Sequence, residues 1–339
     1  MGLFSCSYTP IIKSSDTPKR AMASLEFVVF GGVKQCLLIR SNDTNNPVIL
    51  YLHGGPGVSE MPFVRKYNEE LEKHFTVVYW EQRGGGKSLH SLSLDGSYTM
   101  DQYVNDGHEL TNYLLHRFKK EKLIVIGHSW GTIVGTELIT RYPALYSAYV
   151  GIGQVVNPQK GEALSYQFVL GKAMETGNRK AITELKQIDS PFYLTVENNK
   201  NWYSQLMTER KWLTRFGGVF YNQHNYRQVT KTYLHATEYS LVDFAKFGIG
   251  SVLSIKKLWP EIMQVNFLKN RTNFKLPVYY VQGKYDYNCP SELVYEYFHQ
   301  ISAPHKELII FDQSAHLPNF EESERFNQKM IDLFAEGKK

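Results

Sequence analysis

Six short, almost unbroken apolar runs restrict this 339-residue chain to few architectures. They are Val48–Leu52, Thr76–Trp80, Lys122–Ile126, Ala148–Ile152, Pro277–Gln282 and Glu307–Phe311. A strand that is apolar at successive positions has both faces covered, which is the habit of parallel sheets. Helical patterns lie between several of them. Asp101–Lys119 repeats apolar residues at Tyr103, Val104, Leu110, Tyr113, Leu114 and Phe118, close to a 3.6-residue period. Thr132–Tyr142, Ser291–Gln300 and Glu322–Phe334 read as further helices. Alternating strands and helices predict an α/β fold with right-handed crossovers. Upstream, Glu26–Phe30 and Gln35–Arg40 flank Gly31-Gly32 and read as an antiparallel hairpin.

The alternation stops once. From about Val155 to Phe274 no buried-strand signal occurs, and the stretch looks helical and rich in rings. The expected organisation is therefore one α/β core, residues 1–154 and 275–339, interrupted by a helical cap over 155–274. Such a length suits about two domains or one domain with an insertion. Rings make up 14% of the chain, and those of the cap are expected in part to line an apolar pocket.

Charge and cysteine usage exclude several roles. The net charge is +5 and the basic residues are dispersed, so nucleic acid is not an expected partner. Cys6, Cys36 and Cys289 are far apart and form no CxxC pair, which predicts neither disulfides nor a zinc site. No apolar run approaches the ~20 residues of a membrane span, and Met1–Pro10 lacks a signal-peptide pattern. Cys6 stands where a myristoylation start has Ser or Thr. A cytoplasmic protein is expected. The histidines contain no HExxH, so neither a metal nor a cofactor is expected. Gly84-Gly85-Gly86-Lys87-Ser88 resembles a phosphate loop in part, but Glu81 occupies the position of its first glycine.

The strongest local signal is Gly127-His128-Ser129-Trp130-Gly131, after the strand Leu123–Ile126 and before the helix at Thr132. Glycines at both ends let a serine occupy a sharp strand-to-helix turn, and the helix N-terminus aims N–H groups at the reacting centre. A serine becomes a nucleophile only beside a base that a third group holds. Asp286 and His316 each follow an apolar strand, in the chain order Ser, acid, His. The loop His53-Gly54-Gly55-Pro56-Gly57 follows the strand Val48–Leu52, so Gly55 and Trp130 are candidate N–H donors to an oxyanion. Gly54 is a candidate substrate contact.

These motifs together resemble the prolyl iminopeptidase family of α/β-hydrolases. The resemblance rests on His53–Gly57, on Glu81-Gln82-Arg83-Gly84 after a strand ending in Trp80, and on Gly127–Gly131 with Trp130. It runs from about Phe27 to Phe334. It implies an α/β-hydrolase fold: a mostly parallel eight-stranded sheet, a helical cap after the sixth strand, and a cofactor-free Ser129-Asp286-His316 triad. Glu81 stands where the family has Asp, and His128 where it often has Gly. The family's WxxWE stretch, which supplies acids for a substrate amine, is absent. Glu238, or less favourably Glu209, is then the candidate amine partner. The resemblance implies an aminopeptidase that releases N-terminal proline or another small residue from a short peptide. The alternative is an esterase or amidase acting on a small apolar or xenobiotic ester.

Overall fold

A computed structural model describes residues 7–12, 20–92, 94–189 and 200–335. Cys6 and the rest of Met1–Cys6 lie outside the described residues, as do 190–199 within the insertion. The strands are β1 (Met22–Phe30), β2 (Val33–Ser41), β3 (Val48–Leu52), β4 (Thr76–Glu81), β5 (Leu123–His128), β6 (Tyr146–Ile152), β7 (Val278–Gly283) and β8 (Lys306–Phe311). They form one sheet in the order β1-β2-β4-β3-β5-β6-β7-β8. The β1–β2 and β2–β4 pairs are antiparallel, and every later pair is parallel. The six apolar runs thus form the parallel part, and β3, β4, β5 and β7 are buried at every position. β1 starts four residues before the expected Glu26, because its first residues pair with β2 without a clear apolar alternation.

The strand order places the site. β3 lies between β4 and β5, so the chain leaves β3 in one direction and later returns on its other side. Loops diverge at such a switch point and open a crevice beyond the carboxyl ends of the strands. Leu52, the last residue of β3, pairs with Gly127 of β5. The His53–Gly57 loop and the Ser129 turn therefore begin side by side.

Between β6 and β7 the described residues are helical and contain no strand. The principal helices are Pro158–Glu175, Arg179–Leu185, Trp202–Arg215, Arg227–His235 and Leu241–Ile262. The last opens with a capping box, in which Ser240 and Asp243 satisfy each other's backbone N–H groups. It packs hard on the core: a methyl group on Gly250 would sit 2.2 Å from the Gly84 carbonyl oxygen. Only the missing side chain permits that approach.

One buried ion pair ties three core elements together. Arg83 follows β4, and Asp106 lies on the helix Met100–Phe118. Two hydrogen bonds of 2.6 and 2.8 Å join them, with both side chains fully buried. Asp106 also accepts from Gln35 of β2 at 2.7 Å, and Arg83 donates to the Gly31 carbonyl at 3.2 Å. Removing one partner strands a buried charge, which costs about 3–5 kcal/mol. Asp106→Ala is expected to lose stability on that scale in urea unfolding. A loss below about 1 kcal/mol would show that water reaches Arg83.

Candidate active site

Ser129 has φ 51° and ψ −119°, a left-handed conformation that non-glycine residues avoid. Strain of this kind costs on the order of 1–3 kcal/mol and persists only where the surroundings enforce it. Here they do. A methyl on Gly131 would lie 2.1 Å from the Leu52 carbonyl oxygen, and one on Gly127 would lie 2.6 Å from the Gly131 carbonyl. The Ser129 N–H donates to Ile152 O of β6 at 2.9 Å, and its carbonyl accepts from Thr132 N at 2.8 Å. The helix Trp130–Arg141 begins immediately after it, two residues earlier than the sequence pattern predicts. Its first N–H groups are free of helical partners, as at any helix start.

The His53–Gly57 loop lies against this turn. A methyl on Gly54 would meet Ser129 Cβ at 3.3 Å. His53 locks the loop: Nδ1 donates to Gly54 O at 2.7 Å, and Nε2 accepts from Gln82 N at 3.1 Å. Burial lowers the pKa of His53, in keeping with a neutral ring that both donates and accepts. Gln82 returns Nε2 to His53 O at 3.1 Å and accepts from the Trp130 indole at 2.8 Å. Gln82 thereby clamps the loop to the turn. Gly54, Gly55 and Trp130 all line the same cavity as Ser129.

His316 and Asp286 come together from the loops after β8 and β7. His316 Nδ1 is 2.9 Å from Asp286 Oδ2, with both side chains buried. Asp286 Oδ1 accepts from the N–H groups of Asn288 and Cys289 at 2.9 and 2.8 Å, and Oδ2 also accepts from Gln282 Nε2 at 3.0 Å. These donors fix the carboxylate, which fixes the plane of the imidazole. The His316 backbone N–H donates to Val219 O of the insertion at 3.0 Å.

Ser129 and His316 face a shared cavity of about 790 Å³. Within it the Asn288 amide nitrogen is 3.0 Å from His316 Nε2. That contact does not join Ser129 to His316. Hydrogen bonds used in catalysis are often long or redirected before substrate enters. Phe220, Tyr226, Tyr233 and Trp259 supply rings to the wall, whereas Trp212 and Tyr239 of the insertion do not reach it.

The acidic candidates separate. Glu238 is buried but spent: Arg65 lies 3.2 Å from it, and Thr9 donates to it at 3.2 Å. It is not part of the cavity wall. Glu209 is fully buried beside the wall, where Ser165 and Arg210 hydrogen-bond to it. Arg210 lines the cavity and also grips Glu162, which lines it too. Glu162 Oε2 has no hydrogen-bond partner among the described residues. Burial raises the pKa of Glu162, opposed by the Arg210 charge. The sequence reading missed Glu162 and Arg210. They sit on separate helices 48 positions apart, and no local motif joins them.

It also missed the partners of His128 and Glu81. His128 is held by Glu60 and by the His316 carbonyl. Glu81 is fully buried and accepts hydrogen bonds from Ser59, from Lys87 N at 2.8 Å, and from the hydroxyl of Tyr239 in the insertion. Its side chain thus spans core and insertion.

Residues 47–323 match the α/β hydrolase fold family, and the chain is a member of that family. A probable aminopeptidase of Bacillus subtilis (strain 168), YbaC, is 33% identical over 316 residues, covering 91% of this chain and 95% of its own. The proline iminopeptidase of Heyndrickxia coagulans is 23% identical over 304 residues, covering 88% of this chain and 93% of its own. Among solved structures, the proline iminopeptidase of Mycobacterium smegmatis shares the fold with a TM-score of 0.63 at 16% identity, over 92% of this chain and 97% of its own. The chain is an α/β hydrolase with relatives of the proline iminopeptidase kind. No helix among the described residues is long and apolar enough to cross a membrane.

Glu81 gives a pH test of the core–insertion contact. Burial raises its pKa from 4.5 to about 7, against the lowering effects of Ser59 and Lys87. A carboxyl whose pKa is raised on folding binds protons more tightly in the folded state. Its contribution is complete below about pH 4.5 and is lost as the pH rises through about 7. The span corresponds to about 3 kcal/mol. Glu81→Gln is expected to flatten that part of the stability curve between pH 4.5 and 7, measured as the difference from wild type in urea midpoints. Parallel curves for the two proteins would refute the assignment.

Proposed function

We propose that the protein is a serine aminopeptidase that removes a small N-terminal residue, such as proline, from short peptides. Ser129 attacks the scissile carbonyl carbon. His316 takes the hydroxyl proton on Nε2 and later delivers it to the leaving amine. Asp286 holds Nδ1–H and stabilises the imidazolium. The backbone N–H groups of Gly55 and Trp130 receive the developing oxyanion, and removing one such donor costs about 2.7–4 kcal/mol. Asn288 must release Nε2 as the substrate enters. The insertion, taken as 155–274, covers the site and shapes the acyl pocket.

The observation that carries the peptidase reading is the Glu162–Arg210–Glu209 cluster on the cavity wall. Two carboxylates share one guanidinium, and one carboxylate oxygen lacks a partner. A substrate ammonium supplies the missing positive charge and donor. The names of the relatives agree with this reading. The size and rings of the cavity favour a second reading, an esterase for a bulkier apolar acyl group.

Proline and alanine arylamides, their N-blocked forms and simple aryl esters separate the two. Ser129→Ala is expected to lower turnover by about four to six orders of magnitude. Glu162→Gln is expected to lower kcat/KM by about 10- to 100-fold on free-amine substrates and to leave N-blocked ones little changed. Equal or better turnover of blocked substrates by the wild type would replace the peptidase reading with the esterase one.

A further inference from the structure

His128 stands immediately before the nucleophile, at a position where the family often has glycine. The ring is buried, and acceptors meet both of its nitrogens. Nε2 is 3.0 Å from the carbonyl oxygen of His316, which can only accept. Nδ1 is 2.6 Å from Oε1 of Glu60, whose other oxygen already accepts from the Tyr51 hydroxyl at 3.1 Å. A ring protonated on both nitrogens satisfies these acceptors as an imidazolium paired with a carboxylate, whereas a neutral ring would require Glu60 to carry the shared proton. Its centroid lies 4.8 Å from that of His316, with the planes tilted by 45°.

We propose that His128 is a positioning residue: a fixed imidazolium that sets the register between the Ser129 turn and the His316 loop. The geometry gives it that task. One hydrogen bond spans from the residue beside the nucleophile to the backbone of the base, and the other anchors the same ring to Glu60. The titratable groups around His128 are Glu60, His53, His316 and Asp286. His53 is kept neutral by burial, which leaves Glu60 as the direct counter-ion. Burial pushes His128 down, but the charge and hydrogen bond of Glu60 outweigh it and raise the pKa. Glu60 moves the opposite way for the same reason.

The inference rests on the roles of Ser129 and His316 given above, and its test separates from theirs. Histidine-selective nitrogen NMR on the full chain, with the His128 signals assigned by their loss in His128→Gln, reads the charge of that ring. The expected result is two ring N–H signals for His128 that persist above the ordinary titration near 6.5. A ring that loses a proton near 6.5 overturns the proposal. The second arm is the double variant His128→Gln with Glu60→Gln, which keeps a neutral hydrogen-bonding pair. Its kcat is expected to fall about tenfold with KM nearly unchanged, because the imidazole no longer sits in register with the Ser129 turn. A wild-type kcat, or a loss confined to KM, overturns the proposal. If the double variant does not fold, the NMR result decides. That result also stands if Ser129→Ala proves active and the serine mechanism fails.

Discussion

The backbone of Ser129 is held in a conformation that its own chemistry disfavours, and the neighbouring architecture follows from that constraint. The turn exists because Gly131 presses against the last carbonyl of β3 and Gly127 against Gly131. Both contacts need β3 and β5 to be adjacent, and they are adjacent only because β4 was placed on the far side of β3. Sheet topology, glycine placement and the exposed position of one hydroxyl are therefore one arrangement viewed at three scales. The energy to hold the strain comes from the apolar sheet on either side, whose central strands are closed to water.

Around that turn the polar groups are grouped by task. Gln82 and His53 hold the glycine loop, and Asp286 with its four hydrogen bonds holds the His316 ring. Glu60 and His128 tie the two halves together. Few of these groups touch the cavity. Buried polar groups of this density are tolerable only when nearly all are satisfied. Glu162 Oε2 and the Trp259 indole nitrogen are exceptions on the cavity wall, and the carboxylate oxygen is the one that carries weight in assigning a cationic ligand.

Much of this was legible in the sequence, for identifiable reasons. Unbroken apolar runs mark doubly covered strands whatever surrounds them, so all six parallel strands could be placed within two residues. Ser129, Asp286 and His316 stand at strand ends, and chain order with the family resemblance singled them out; of the three, the structure hydrogen-bonds Asp286 to His316. Contacts made across the insertion were not legible. Glu238 looked like a free carboxylate because nothing in its neighbourhood reveals that Arg65 reaches it. Glu162 drew no notice because its partner, Arg210, lies on another helix. The longer side chain of Glu81, noticed as a departure from the family pattern, proves to extend to Tyr239. Periodicity encodes which face of a helix is buried, but not which distant residue meets it.

The hydrogen bond from the His316 backbone to Val219 ties the insertion to the loop that bears the imidazole. A helical segment fastened there is not an interchangeable cassette. Grafting a foreign one onto this sheet, to acquire a new acyl preference, would leave that amide without its acceptor and loosen the ring it carries. A new substrate range is therefore reached more readily by altering side chains within the existing insertion than by trading it whole.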